Sequence, residues 1–449
     1  MNYFKKMFSG KFFRSLTILT SGSFIALLVL GISQIAVTRI FTPEALGIYS
    51  FIMAVPMAFT GVLCGRYDLP LVYEKEERRI FPLIKLNLVI NLILSSIITV
   101  AFAGYILLFK REYTDYVFLV PVTFIYLVSY GLTQMLNSYN NRYKEYKTIT
   151  KMHIYRTIGQ NVSTLILGLI FITALKFDNI LLSVTILVGT YCIGMSCGIW
   201  TQGKFLFGKR KEIWSCDSKS IKEVASIHKK QPLLSAPAIF ANSYSYSLIT
   251  ILIEDFFGTA CTGFYSVSTK ILGIPLALIS SNVSKVYMEE AAKEYNSTGK
   301  FNKTFKKTFA FLAVLAVPMF FAMYFLAPPV CGWIFGEEWV VAGEYIRILA
   351  FMFAFRLIAT ALSPGLYVCR AQMAEFIIQF ALLAVTIIAG AVSFIFKFDI
   401  NAFLLTVASL RSMVLIAQIL TVYFYSRGRK KSNIGGGQSV ENVEEAVKT

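Results

Sequence analysis

Long apolar stretches follow one another along this chain and are separated by short clusters of charged residues. Nine of them contain no Asp, Glu, Lys or Arg and have about the 20 residues that a helix needs to cross the hydrocarbon core of a membrane. Three more reach this length if one basic residue is accepted in each. The pattern predicts an all-α polytopic membrane protein with twelve transmembrane helices, over residues 15–38, 45–65, 86–109, 116–141, 157–175, 179–203, 231–253, 256–284, 308–336, 348–369, 376–396 and 400–426.

Lys and Arg are distributed unevenly between the two sets of loops that twelve spans create. Of the 43 such residues, 34 fall before the first span, after even-numbered spans or in the tail, and six fall in the remaining loops. Loops rich in Lys and Arg stay on the cytoplasmic side of a membrane. We therefore predict a multi-pass protein of the cytoplasmic (inner) membrane with both termini in the cytoplasm. Its basic loops are expected to contact anionic membrane lipids and no nucleic acid.

The composition agrees with a membrane location. Hydrophobic residues make up 56% of the 449 residues and charged residues 15%, whereas a soluble domain has roughly 45–50% and about 25%. This balance excludes a soluble enzyme, a disordered protein and a fibrous protein. The seven Cys and two His show no metal-binding spacing, so we expect no metal and no cofactor.

One long basic connection, residues 204–230, divides the spans into two sets of six. The predicted domains are an N-terminal lobe (1–203), this cytoplasmic linker, a C-terminal lobe (231–426) and a cytoplasmic tail (427–449). The stretch Ser220–Lys230 is basic and amphipathic, which favours a helix lying on the membrane surface. The tail is Gly-rich and then acidic from Gly435, and this composition predicts disorder.

A short repeat relates the two halves. Residues 41–50 read FTPEALGIYS and residues 257–266 read FGTACTGFYS, so Phe, Gly, Tyr and Ser recur at an offset of 216. Each copy follows the first span of its half. Because each half has an even number of spans, the repeats are parallel, as in transporters whose two lobes enclose a central cavity. We expect a site between the lobes and a cycle of alternating access.

Four sequence blocks resemble a known family. They are TRIFTPEALGIYSF (38–51), GRYDLPLVYEKEERR (65–79), NNRYKEYK (140–147) and FGEEWVVAGEYIRILAF (335–351). In this order and spacing they are similar to the Wzx-type oligosaccharide-lipid flippases of the multidrug/oligosaccharidyl-lipid/polysaccharide (MOP) exporter superfamily. The resemblance extends to about residue 430 and implies a MATE-like fold. Twelve spans differ from the usual fourteen of the relatives that flip the peptidoglycan precursor.

The resemblance also implies a substrate and partners. The substrate would be an oligosaccharide linked to a polyprenyl pyrophosphate of the undecaprenyl type. It would be flipped across the membrane for a surface polysaccharide such as O-antigen in lipopolysaccharide, capsule or exopolysaccharide. The polysaccharide polymerase machinery is a further expected partner, and the protein itself would not be an enzyme.

Three basic residues lie near the centres of predicted spans in the second half: Lys270, Arg356 and Arg411. A charge facing lipid there costs roughly 2.5–3.5 kcal/mol, so we expect all three to face the interior. Cations in a central cavity suit a pyrophosphate, since Arg donates two hydrogen bonds to phosphate oxygens. The alternative is structural ion pairing with acidic residues of the same half, namely Glu254, Asp255, Glu344 or Glu375.

Further candidates have ordinary structural explanations of similar weight. Tyr244 and Tyr246 belong to a polar, aromatic stretch of span 7 that could stack on sugar rings, although such residues also pack helices together. Arg39, Arg66 and Asp68 lie at span ends, where side chains commonly reach for the interface. Glu254 and Asp255 complete the secondary candidates for the site.

Two other functions stay open from the sequence. A multidrug or cation antiporter of the same superfamily would favour acidic residues in mid-span, whereas the mid-span charges here are basic. A membrane polysaccharide polymerase would need a sizeable external loop with catalytic residues. The longest candidate, about 328–347, is short and apolar.

Overall fold

The computed structural model describes residues 31–176, 179–369 and 371–428. These residues are mostly helical and include no β-strand, and eleven helices among them are long and apolar enough to cross a membrane. Predicted span 1 is described only from residue 31, as a helix (α1) that continues to residue 40. The predicted disordered stretch from Gly435 lies outside the described residues.

The remaining long helices follow the predicted order of spans. They are α2 (Pro43–Phe59), α3 (Ile80–Phe109), α4 (Val120–Arg142), α5 (Tyr146–Leu167), α6 (Ile180–Gly208), α7 (Ala236–Phe257), α8 (Thr259–Thr298), α9 (Asn302–Phe335), α10 (Val340–Leu362), α11 (Gln372–Phe396) and α12 (Ile400–Ser426).

Helix boundaries follow local chemistry. The Thr42 hydroxyl accepts a hydrogen bond from the Ala45 amide and Pro43 opens α2, while the Asp399 carboxylate accepts one from the Ala402 amide and begins α12. Such caps satisfy amides that have no partner within the helix. The predicted span 400–426 therefore coincides with α12.

Several helices extend beyond the predicted spans. α5 begins at Tyr146, before the predicted start of span 5 at 157, and α8 continues to Thr298, beyond the predicted end of span 8 at 284. Both predictions stopped at a charged residue, Arg156 in one case and Lys285 in the other. A helix continues through such residues because one face can be polar while the rest remains apolar.

The helices run alternately between two ends of the bundle. We call the end with Arg39, Lys110, Lys176 and Lys397 the basic-poor end, and the opposite end, which includes the linker 204–230, the basic-rich end. We call the described residues before 204 the first half and those after 230 the second half. α2 packs against α6 of the first half and against α7 and α8 of the second half, so it carries much of the contact between the halves.

The linker contains a helix, Ser218–Ile227, as its amphipathic pattern predicts. Val224 is buried in an apolar cluster with Tyr67 and residues of α3. The Tyr67 hydroxyl donates to the Ala225 carbonyl at 3.2 Å, and Arg79 pairs with Glu223 at 2.9 Å. The apolar side of this helix is therefore covered by protein at the basic-rich end of the first half.

Candidate functional site

A cavity of about 570 Å³ lies where α1, α2, α5 and α6 face α7, α8 and α10. Residues from both halves line it, and hydroxyl, amide and aromatic side chains predominate over aliphatic ones. The lining residues are Gln34, Val37, Tyr49, Ser50, Met53, Ala54, Met57, His153, Arg156, Thr157, Gln160, Asn161, Thr164, Leu187, Tyr191, Tyr246, Ser247, Thr250, Tyr265, Ser266, Thr269, Lys270, Met352, Phe353 and Arg356.

The charge of this cavity has one sign. Arg156, Lys270 and Arg356 line it, and within the described part of the chain no Asp or Glu does so. The His153 imidazole also lines the cavity, near the basic-rich end. The cavity therefore attracts anions.

Lys270 and Arg356 contact aromatic rings instead of carboxylates. The Lys270 ammonium nitrogen lies 5.6 Å from the centre of the Tyr49 ring. The Arg356 guanidinium carbon lies 4.0 Å from the ring centre of Tyr246 and 5.2 Å from that of Phe353. Cation–π contacts of this kind hold a cation in place without neutralising it.

Arg411 is close to this group but does not line the cavity. It is fully buried, with 1% of its surface exposed. Its guanidinium donates to the Thr386 hydroxyl at 2.8 Å and to the Ser245 carbonyl at 3.3 Å, and its central carbon lies 4.1 Å from the Tyr246 ring centre. Arg411 thus connects α12 to α11 and α7 and shares the Tyr246 ring with Arg356.

The alternative of structural ion pairs is not what the structure shows. Among the described residues, no carboxylate lies within 4.0 Å of the charged nitrogens of Lys270, Arg356 or Arg411. The four acids named as partners pair elsewhere: Glu254 with the Tyr113 hydroxyl, Asp255 with Lys110, Glu344 with Arg347 and Glu375 with the Gln379 amide.

Of Tyr244, Tyr246, Glu254 and Asp255, only Tyr246 is among the described residues that line the cavity. Tyr246 lines the cavity, whereas the Tyr244 ring stacks on Phe240 at 5.4 Å and is not among the lining residues. Glu254 and Asp255 lie at the basic-poor end, where they contact the first half.

Arg39, Arg66 and Asp68 also lie away from the cavity lining. The Arg39 guanidinium donates to the Ile334 carbonyl at 2.9 Å at the basic-poor end. Arg66 lies 3.9 Å from Asp68, which also accepts from the Gln134 amide at 3.1 Å. The pKa of the Asp68 carboxyl is raised above its ordinary value, because the effect of burial outweighs the opposite effects of the Arg66 charge and the Gln134 hydrogen bond.

Sequence reasoning missed the contribution of α5. Polar side chains of this helix recur every three or four residues, which puts them on one face, and that face lines the cavity: His153, Arg156, Thr157, Gln160, Asn161 and Thr164. Ile154, Ile158 and Val162, on the other side, are exposed. A search for helical periodicity would have detected this stripe, whereas a search for charge-free runs ended at Arg156.

The arrangement suits the binding of a polar, anionic ligand. Within the described chain, no group of three or more His, Cys, Asp or Glu side chains could hold a metal ion. Guanidinium and ammonium groups supply donors for an anion, and hydroxyl, amide and tyrosine groups supply partners for a polar ligand. The cavity can therefore hold a polar anionic molecule.

Known structures share this arrangement of helices. The inward-facing conformation of a multidrug resistance MATE family transporter of the MOP superfamily matches with a TM-score of 0.64 and 14% identity, over 89% of this chain and 94% of that one. Lipid II flippase MurJ, in an inward closed conformation, matches with a TM-score of 0.65 and 13% identity, over 91% and 90%. The chain thus has the predicted MATE-like membrane fold, while the exact layout of twelve helices in two lobes stays a prediction.

The family follows from the sequence. Residues 36–344 match the family model described as polysaccharide biosynthesis protein. The chain belongs to this family, which confirms the predicted membership of a polysaccharide biosynthesis family. Teichuronic acid biosynthesis protein TuaB of Bacillus subtilis (strain 168) is 22% identical over 309 residues, or 67% of this chain and 58% of the relative. The match thus spans less than two-thirds of that relative's length.

Proposed function

We propose that this protein is a flippase that moves a polyprenyl-pyrophosphate-linked oligosaccharide across the cytoplasmic membrane for surface polysaccharide assembly. The family membership supports a role in polysaccharide biosynthesis, and the fold supports transport by alternating access. One observation carries the choice of substrate. It is the cavity between the halves, whose described charged residues are all basic.

The argument from charge is energetic. Arg156, Lys270 and Arg356 have no carboxylate among the described residues lining their cavity, so three like charges face one space without an opposite charge to balance them. A ligand that brings its own negative charge relieves this unfavourable state. A diphosphate supplies several charged oxygens, which guanidinium and ammonium groups bind through short, charge-assisted hydrogen bonds.

The two halves contribute different cations. Arg156 belongs to α5 in the first half, whereas Lys270 and Arg356 belong to α8 and α10 in the second. A diphosphate bound between them would contact both halves at once. Its binding can favour one arrangement of the halves over another, provided that it binds the two arrangements with different affinity.

The rest of the cavity fits the first sugars of the substrate. Gln160, Asn161, Thr250 and Thr269 provide amide and hydroxyl groups along the lining. A volume of about 570 Å³ lies within the range of small-molecule sites, roughly 300–1,000 Å³. The cavity therefore holds the diphosphate and the adjoining sugars, and a longer oligosaccharide extends beyond it.

The direction of transport agrees with the membrane potential. Moving a negative charge out of a cell that is negative inside is favoured by about 2.3 kcal/mol per charge for each 100 mV. Outward movement of a diphosphate head group thus has a driving force of its own. The proposed mechanism needs no coupling ion for the head group.

The cavity disfavours the two alternative functions. An antiporter for cationic drugs would be expected to have an acidic residue in its site, and the described lining has none. A polysaccharide polymerase would need a catalytic group beside an external substrate, whereas Arg39, Lys110, Glu254 and Asp255 at the basic-poor end are engaged in contacts between the halves.

Reconstitution tests the proposal directly. Purified protein in liposomes should make a fluorescent lipid-linked oligosaccharide with a pyrophosphate linkage accessible on the opposite leaflet. The same glycolipid without its phosphates should move much more slowly, and a variant with Gln at positions 156, 270 and 356 should move neither. Equal rates for both lipids, or normal transport by the triple variant, would refute the proposed site.

A further inference from the structure

The repeated glycines meet in the folded protein. A Cβ atom added to Gly47 would lie 1.8 Å from the carbonyl oxygen of Thr259, and one added to Gly263 would lie 1.9 Å from that of Pro43. The contact is reciprocal, because Thr259 and Gly263 are separated from Pro43 and Gly47 by the same offset of 216 residues. The sequence repeat thus forms a two-fold-related crossing of α2 and α8, in which each glycine lets the other backbone approach.

This crossing closes one end of the cavity. Tyr49 and Tyr265, two residues beyond the glycines, both line the cavity, and α2 and α8 both begin at the basic-poor end. In the other direction the lining continues along α5 as far as His153, which is exposed. The cavity therefore opens toward the basic-rich end and is closed at the basic-poor end.

Two polar contacts between the halves flank the crossing at the ends of α3 and α7. The Lys110 ammonium pairs with the Asp255 carboxylate at 2.6 Å. The Tyr113 hydroxyl donates to the carboxylate of Glu254, which is buried. Both contacts join a first-half residue to a second-half residue at the basic-poor end.

Two more contacts between the halves lie on the side where α1 ends. The Arg39 guanidinium donates to the Ile334 carbonyl at 2.9 Å. The indole nitrogen of Trp339, which is fully buried, donates to the Thr38 carbonyl at 3.0 Å. These contacts use backbone carbonyls at helix ends, where such groups have no partner within the helix.

We propose that the glycine crossing, with these four contacts, is the gate that closes the cavity at the basic-poor end. The proposal rests on the proposed function only in that transport requires the cavity to open at both ends in turn. The gate opens when α2 and α8 separate. Gly47 and Gly263 are essential for closure, because even a methyl group at either position would collide with a carbonyl oxygen. Alanine at either position should therefore shift the population toward the open gate.

Thiol accessibility measures the gate without any substrate. Ser50 lines the cavity next to the crossing, so a Ser50→Cys substitution, with the seven native cysteines replaced, reports on access to the cavity. The basic-poor end is predicted to face the outside of the cell. A membrane-impermeant maleimide added outside intact cells should therefore label this cysteine slowly while the gate is closed. Gly47→Ala and Gly263→Ala should each accelerate labelling about tenfold or more.

A glycine on the same helix provides the matched control. A Cβ added to Gly273 of α8 would meet no atom within 4 Å, so Gly273→Ala should leave labelling unchanged. Unchanged labelling in both Gly47→Ala and Gly263→Ala, with protein present in the membrane, would overturn the gate. Equal acceleration by Gly273→Ala would overturn it as well, because the effect would then not depend on the crossing.

Charge variants keep the test decisive if the alanine variants do not accumulate. Lys110→Gln removes one of the four contacts from the partly exposed rim of the gate and should also accelerate labelling. The exchange Lys110→Asp with Asp255→Lys should restore protection, and labelling that Lys110→Gln leaves unchanged would overturn the gate.

The outcomes separate the gate from the substrate. Accelerated labelling of the glycine variants, together with no flipping of the lipid-linked oligosaccharide by the unsubstituted protein, would leave the gate and remove the proposed substrate. Normal flipping by the unsubstituted protein, together with unchanged labelling of the glycine variants, would remove the gate alone.

Discussion

Replacing Arg356 by Gln tests the binding site at a residue with well-defined surroundings. Arg356 lines the cavity, lies 4.0 Å from the ring centre of Tyr246 and has no carboxylate partner among the described residues. A hydrogen bond to a charged group contributes about 1.5–3 kcal/mol. Arg356→Gln should therefore weaken binding of a polyprenyl pyrophosphate roughly 10- to 150-fold.

Arg356→Lys should have an intermediate effect. It keeps the positive charge but cannot lie flat on Tyr246 or donate two parallel hydrogen bonds, a difference of about 1–2 kcal/mol. This corresponds to a loss of roughly 5- to 30-fold. Binding is measured with purified protein in nanodiscs by titration of a fluorescent polyprenyl pyrophosphate.

The control for Arg356 is on the same helix. Arg347 of α10 pairs with Glu344 at 2.9 Å and donates to the Tyr324 carbonyl at 3.1 Å, and it does not line the cavity. Arg347→Gln should leave binding unchanged. Because Arg356→Gln leaves no acid unpaired, the variant should also accumulate normally in the membrane. Unaltered binding by Arg356→Gln, or an equal loss in Arg347→Gln, would refute the argument.

Three further predictions concern the first half, the shared ring and the topology. Arg156→Gln should weaken binding of the same lipid by about tenfold or more, whereas Lys151→Gln, an exposed position of α5 outside the cavity lining, should not; equal losses would argue against a role for α5. Tyr246→Leu should weaken binding and add little in combination with Arg356→Gln, since both act on one contact; additive losses would contradict this. Reporter fusions at Lys219 should read cytoplasmic and at Lys397 external, and an external signal at Lys219 would contradict the predicted division into halves.

The sequence was sufficient for the fold class because membrane helices obey a local rule. Every backbone group in the hydrocarbon core needs a partner within its own helix, so an apolar run of sufficient length predicts a span without knowledge of its neighbours. The span 400–426 and the order of the other spans follow from this rule alone. The rule has no information on polar faces, which is why the predicted span 5 begins later than α5.

The candidate site was predictable only in part. A cation in mid-span has an energetic penalty that is visible in the sequence, and two of the three predicted basic residues, Lys270 and Arg356, line the cavity. Arg411 is also a cation in mid-span, but it is buried between helices and does not line the cavity, because its guanidinium donates to groups on α7 and α11. The sequence alone does not distinguish a cation that faces a cavity from one that is buried between helices.

The sequence by itself thus determined the order of the long helices, the family and the presence of basic residues within the helices, since each depends on local composition or on a run of identities. Only the tertiary structure decided which side chains meet. Arg156 joins Lys270 in one cavity although 114 residues separate them, and Gly47 meets the backbone of Thr259. The physical reason is that such contacts depend on how helices cross and rotate about their axes, and many side chains packed together set this geometry.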